Sequence, residues 1–156
     1  MQRVFYVFTI ACLLSIVVGC GSVRKGLNFE TQAVINFSAR DDINPDVDGR
    51  ASPVVIRLLK LEDNRQIYRE EFLNLYEDSK ARLGSDLIGT VVLRELAPSE
   101  QRQELIDLTP SVRYIGLLAE FVDYENAKPI LVLEIDPHKK NKFDVVIKHL
   151  ELLNER

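Results

Sequence analysis

Cysteine is almost missing from this chain, and its only two, Cys12 and Cys20, fall within the first twenty residues. Everything after them can form no internal disulfide, offers no thiol nucleophile and holds no cysteine metal site. The zinc patterns HExxH and CxxC do not occur, nor do the phosphate cradles GxGxxG and GxxxxGKS. Histidine is as scarce. His138 and His149 sit among lysines, in Pro137-His138-Lys139-Lys140 and Lys148-His149, with no serine or cysteine in a nucleophile elbow nearby, and read as solvated surface groups. Carboxylate pairs such as Asp41-Asp42, Glu70-Glu71 and Glu77-Asp78 serve glycoside cleavage only at a fixed separation, and are ordinary on solvated loops and helix faces. The sequence therefore points to no catalytic group, metal or cofactor. A net charge of −4 without a basic stripe argues against nucleic acid.

No apolar run reaches the roughly twenty residues that span a bilayer. The longest, Val4 to Val18 (VFYVFTIACLLSIVV), follows Arg3 and closes on Gly19-Cys20. A positive start, a short apolar stretch and small residues before a cut have the layout of a secretory signal peptide. VVGC further resembles the lipobox of bacterial lipoproteins, in which the cysteine thiol is lipidated and the chain is cut before it. This implies a signal peptide over residues 1–19, Cys20 as the lipid-attachment site, a lipidated tether over 20–28 and one folded domain over 29–156. Two or three acyl chains hold a protein on a membrane for practical purposes permanently. Gly21 stands where Asp would favour inner-membrane retention, so the expected destination is the periplasmic face of the outer membrane.

Past the polar tether, Phe29, Thr31, Ala33, Ile35 and Phe37 alternate with polar residues, the pattern of a half-buried strand. Val54 to Leu61 (VVIRLLKL) is too apolar to alternate and reads as a central strand covered on both faces, with Pro53 at its start. Asn64 to Asp78 changes period: Tyr68, Phe72, Leu75 and Tyr76 are spaced as one or two helical turns lying on a sheet. Strands are expected again over Thr90–Leu96, Glu104–Leu108, Arg113–Val122, Ile130–Ile135 and Phe143 to about Leu150, separated by turns at Ala97-Pro98-Ser99, Thr109-Pro110-Ser111, Tyr124 to Pro129 and Asp136-Pro137. Seven or so short strands with one helical insertion make an all-β sandwich.

Between the first two strands lies ARDDINPDVDGRASP, residues 39 to 53. Asn44-x-Asp46-x-Asp48-Gly49 reproduces the first half of an EF-hand loop, yet the bidentate glutamate due at position 12 is Val55 and position 10 is Pro53. Asp and Asn also shape turns, and Gly49 supplies a positive φ.

Taken in order, the lipobox cysteine, DDINPDVDGRASP running into PVVIRLLKL, EEFLNLYED, RLGSDLI and RYIGLLAEF resemble the TssJ (VasD/SciN) family, outer-membrane lipoproteins of type VI secretion systems. The resemblance implies a transthyretin-like β-sandwich of two sheets with a small helical addition, and no enzymatic activity. It also implies a scaffold that contacts the C-terminal periplasmic part of TssM, and TssL through it, by the loop Ala39–Ser52. Partner-binding residues would then be Asp41, Asp42, Asn44, Pro45, Asp46, Asp48, Gly49 and Arg50. The competing expectation is a periplasmic, lipid-anchored module that binds a small ligand or calcium.

Overall fold

The computed structural model describes residues 30–155. The expected signal peptide, Cys20 and the whole of the tether lie outside them. Eight strands are formed: β1 (Thr31–Ala39), β2 (Ile56–Leu61), β3 (Leu87–Val92), β4 (Gln101–Leu108), β5 (Tyr114–Ala119), β6 (Ile130–Glu134), β7 (Lys140–Lys148) and β8 (Glu151–Asn154). A 3-10 turn (Ile67–Arg69) and one helix, α1 (Phe72–Leu83), separate β2 from β3. The strands make two four-stranded sheets, ordered β4-β1-β7-β8 and β3-β2-β5-β6, as expected of an all-β sandwich.

Alternation places β1. Ala33, Ile35 and Phe37 are buried against Ile56 and Leu58 of β2, Ile115 and Leu117 of β5, and Val145 and Ile147 of β7. The opposite face carries Gln32, Asn36 and Ser38, where Asn36 bonds to Asp144 and accepts from Gln103 across the three strands. β1 pairs with β4 antiparallel and with β7 parallel, so the first strand sits inside its sheet.

β2 buries both faces, which accounts for an apolar run interrupted only by Arg57 and Lys60. Leu59 and Leu61 join Leu118 of β5 in a second cluster, closed from above by Ile67, Leu75 and Leu83 of the helical insertion. That insertion differs from the expected one. The helix runs on to Leu83, and Asp78 interrupts it at φ −151° and ψ 75°, its side chain accepting the Ala81 N–H at 2.9 Å and so capping a second short segment. Glu70, extended, breaks the chain just before α1. The break at Glu70 resets the helical phase between the 3-10 turn and α1, so Ile67 and Leu75 both face the sheet while Tyr68 and Tyr76 are exposed. The break at Asp78 lies between Leu75 and Leu83, which is buried too. Arg57 of β2 fastens the helix: it bonds to the Tyr76 carbonyl at 3.1 Å and pairs with Glu120 at 2.7 Å.

Strand boundaries also differ: β2 begins at Ile56, β4 already at Gln101 and β7 at Lys140, and β5 ends at Ala119. β3 begins at Leu87 and ends at Val92, beyond which the ladder gives way to single contacts, Leu93 with Ile56 and Leu96 with Val54, as residues 93–100 cross towards β4. Arg102 holds that crossing, donating to the carbonyls of Arg94 and Glu95 and pairing with Glu100 and Glu104. A charged pair of this kind on an edge strand also discourages edge-to-edge association. At the C-terminus, the expected single strand over Phe143–Leu150 is a hairpin, turning at His149-Leu150 into β8, with His149 at φ 49°.

The sandwich has two poles. β1 carries the chain from Glu30 at the proximal pole to the β1–β2 loop at the distal pole, a rise of about 30 Å over its nine residues. The β5–β6 loop and the β7–β8 turn share the distal pole.

Gly116 of β5 lies opposite Leu59 beneath the helical insertion, and a Cβ there would meet Ile67 Cδ1 at 2.6 Å. Ala at this position displaces the end of one flexible side chain. Val drives the 3-10 turn off the sheet, and Gly116→Val is expected to cost about 1–3 kcal/mol in urea unfolding, with Gly116→Ala costing less.

Candidate functional site

The β1–β2 loop is built in two tiers. Its base enters the protein: Ile43 is fully buried in the main core, and Asn44 is 2% exposed. Asn44 takes φ 47°, a conformation asparagine tolerates better than most residues. Its N–H donates to the His149 carbonyl at 2.8 Å and its Nδ2 to the Pro53 carbonyl at 2.7 Å, while its Oδ1 accepts the Val122 N–H at 2.8 Å. Ser52 Oγ bonds to the Asn44 carbonyl. One side chain thus joins the loop to the β5–β6 loop and its backbone to the β7–β8 turn.

The upper tier is a closed turn over Asp46–Arg50. Asp46 N–H donates to the Arg50 carbonyl and Gly49 N–H to the Asp46 carbonyl, both at 2.9 Å, with Gly49 at φ 77°. The Asp46 carboxylate accepts the Asp48 and Arg50 N–H groups, an Asx turn. The Arg50 guanidinium then bridges Asp46 at 2.9 Å and Asp48 at 2.8 Å. Bonds from the Arg50 N–H first, then from its side chain and the Asp48 N–H, outweigh desolvation and hold the Asp46 pKa below its ordinary value.

Between these acids, Val47 projects at the tip, 96% exposed. Asp41, Asp42, Asp48, Gly49 and Arg50 are exposed, and Pro45 and Asp46 half-buried. Asp42 leans on the β7–β8 turn, accepting the His149 N–H at 3.3 Å.

Of the expected partner-binding residues, Asn44 is placed inside the protein, where it shapes the loop and presents nothing to a partner. The half EF-hand is spent in the same way. Its first oxygen, Asn44 Oδ1, turns inward to Val122, and its second and third positions close on Arg50, a cation supplied by the chain. Among the described residues no group of three or more acidic, histidine or cysteine side chains is placed to hold a metal ion. Sequence reasoning weighed the loop by its polar atoms and passed over Val47; a valine isolated between two aspartates of a turn was the available signal.

A sandwich with a helical insertion over one sheet and a preformed polar loop at one pole meets its counterpart in a family model described as type VI secretion lipoprotein (VasD, EvfM, TssJ), which matches residues 31–150. The chain belongs to this family. Type VI secretion lipoproteins of this kind are structural proteins, not enzymes. Among solved structures, the lipoprotein TssJ1 from Pseudomonas aeruginosa is 24% identical with a TM-score of 0.74, the match covering 81% of this chain and 98% of that one. Serratia marcescens Lip, a membrane-bound component of the type VI secretion system, is 19% identical with a TM-score of 0.74, over 81% and 97%. A chain of the structure described as the TssM C-terminal domain from EAEC is 20% identical with a TM-score of 0.67, over 81% and 98%. These likenesses are of fold. No curated protein sequence matches significantly.

Asn44→Ala leaves the Val122 N–H and the Pro53 carbonyl without their partner and strains a positive φ. It is expected to cost about 2–4 kcal/mol in denaturant unfolding. The tip should respond to acid. Because the folded Asp46 pKa lies below the unfolded one, its stabilisation is complete above the unfolded value and is lost as pH falls through the folded one, below about 4. Hydrogen exchange at the Asp48 and Arg50 amides should accelerate relative to the intrinsic rate across that window, and Asp46→Asn should remove the pH dependence.

Proposed function

We propose that this chain is the outer-membrane scaffold lipoprotein of a type VI secretion membrane complex, held in the membrane at Cys20 and binding the C-terminal periplasmic part of TssM, and TssL through it, by the tip of the β1–β2 loop. The observation that carries the reading is the position of the tip. A rigid turn with an isolated, fully exposed valine stands at the pole opposite the start of β1, about 30 Å from the end that leads to the lipid.

Other features agree. The VVGC sequence at residues 17–20 suits lipidation, and Gly21 suits outer-membrane sorting. The family model carries the word lipoprotein, and one structural likeness comes from a structure described by TssM. A loop on a rigid scaffold is where binding residues are commonly found. The acids of the tip act mainly through shape: with Asp46 and Asp48 bridged by Arg50, the tip offers a partner an apolar point on an internally paired base.

The depth of the loop decides how it should be tested. Removing all of Ala39–Ser52 would take Ile43 from the core and Asn44 from its bonds, so the variant must be confined to the tip. Val47→Glu, or replacement of Asp46–Arg50 by two glycines, should weaken binding to the TssM periplasmic domain about tenfold or more in calorimetry, with the thermal midpoint of the lipoprotein unchanged. Wild-type affinity in the two-glycine variant would sink the loop assignment. Cys20→Ser should move the protein from the membrane to the soluble fraction; persistence in membranes would count against lipidation.

A further inference from the structure

Beside the loop, the distal pole continues onto a groove between the first turn of α1 and the β5–β6 loop. Its floor is aromatic. Phe72 stacks on Tyr76 at 5.7 Å between ring centres and on Tyr124 at 5.4 Å, with the rings 21° and 23° from parallel. The Arg57 guanidinium lies 5.2 Å from the Tyr76 ring centre and pairs with Glu120, so the stack is pinned to β2 and β5 from below. Apolar surface is left uncovered there: Leu73 is 41% and Tyr76 43% exposed.

The rim is acidic and unspent. Glu70, Glu71 and Glu125 line the groove, and its one lysine, Lys128, is paired with Glu151 at 2.8 Å. Among the described residues Glu70 accepts from the Asn74 amide, and Glu71, at the N-cap of α1, makes no side-chain cap bond. Glu71 and Glu125 form no ion pair among the described residues. The contrast with the loop is plain, since Asp46 and Asp48 share the Arg50 guanidinium while, among the described residues, the exposed Glu71 and Glu125 pair with no cation. An acidic residue at a helix start gains from the macrodipole. That accounts for Glu70 and Glu71, but neither for Glu125 on the opposite wall nor for the uncovered aromatic face.

We propose that this groove is a second contact for the partner that the loop tip binds, and that it takes a segment of that partner in which Lys or Arg adjoins an apolar side chain. Such a segment sets its cation against the carboxylates and the ring faces and its apolar part on the aromatic floor. Two sites on one rigid body allow one partner to span both: Tyr124 lies two residues from Val122, whose N–H is bonded to Asn44 at the base of the loop. The inference rests on the reading of the loop as a docking element, and its test separates the two.

The full-length lipoprotein in detergent is titrated with the TssM C-terminal periplasmic domain at low and at high salt. Two groove variants are compared with wild type and with the two-glycine tip variant: Glu71→Lys combined with Glu125→Lys, both at exposed positions, and Tyr124→Ser. The charge reversal should weaken binding about tenfold at low salt and flatten its salt dependence, with the thermal midpoint lowered only slightly, by the loss of Glu71 from the helix start. Tyr124→Ser should weaken binding and leave the salt dependence in place. Wild-type affinity and salt dependence in the charge-reversed protein overturn the groove, whatever Tyr124→Ser does to folding, and leave the loop reading intact. Loss in the groove variants with wild-type binding in the tip variant supports the groove and overturns the loop.

Discussion

Burying a side-chain amide costs about 1–3 kcal/mol by protein mutational measures unless its polar atoms find partners. Asn44 meets that condition by bonding a loop residue on its own strand connection and the backbone of a second connection, while its main-chain N–H reaches a third. The course of the β1–β2 loop, the seating of the β5–β6 loop and the position of the β7–β8 turn are all set at this residue. What is exposed around it, Val47 above and the Tyr124 stack beside it, inherits its rigidity. Binding to a surface already ordered avoids the entropy of ordering it at the moment of contact.

Much of the scaffold was legible because each strand carried its own burial pattern. Alternation over Thr31–Ala39 located β1, and VVIRLLKL, interrupted only by Arg57 and Lys60, announced a strand covered on both faces; the second cluster under α1 is its cause. What escaped depended on backbone geometry that residue type signals weakly. His149 turns the C-terminal hairpin at positive φ without a glycine, so two strands read as one. The helix was found, with Phe72 and Leu75 on the sheet as expected, but Tyr68 and Tyr76 are exposed, because the break at Glu70 shifts the phase between the 3-10 turn and α1. In the loop, the polar residues were visible and their directions were not. Asn44 points in, Asp46 points at its own turn, and only a fold supplies Val122 as the acceptor's partner.

Charge in this protein is used locally. Arg50 closes the tip, Arg57 pins the helix and Arg102 holds the crossing from β3 to β4, each against carboxylates and carbonyls within its own neighbourhood. These pairs are partly exposed and individually contribute little to global stability. Their effect is on shape, fixing connections that lack regular secondary structure. Carboxylates left over after this pairing are therefore conspicuous, and those around the aromatic groove are among them.

The parallel pairing of β1 with β7 bears on the order of events during synthesis. Asn36 and Asp144 meet across that pairing although 108 residues separate them. β1 emerges early and can join β4 on one side, but its other edge stays open until nearly the whole chain is available. Loop closure over such a distance makes folding slow, and an unpaired apolar strand invites mispairing while it waits. A chain whose first strand is completed so late cannot close its first sheet until most of its residues are available. This order places the greatest need for a chaperone between the appearance of β1 and that of β7.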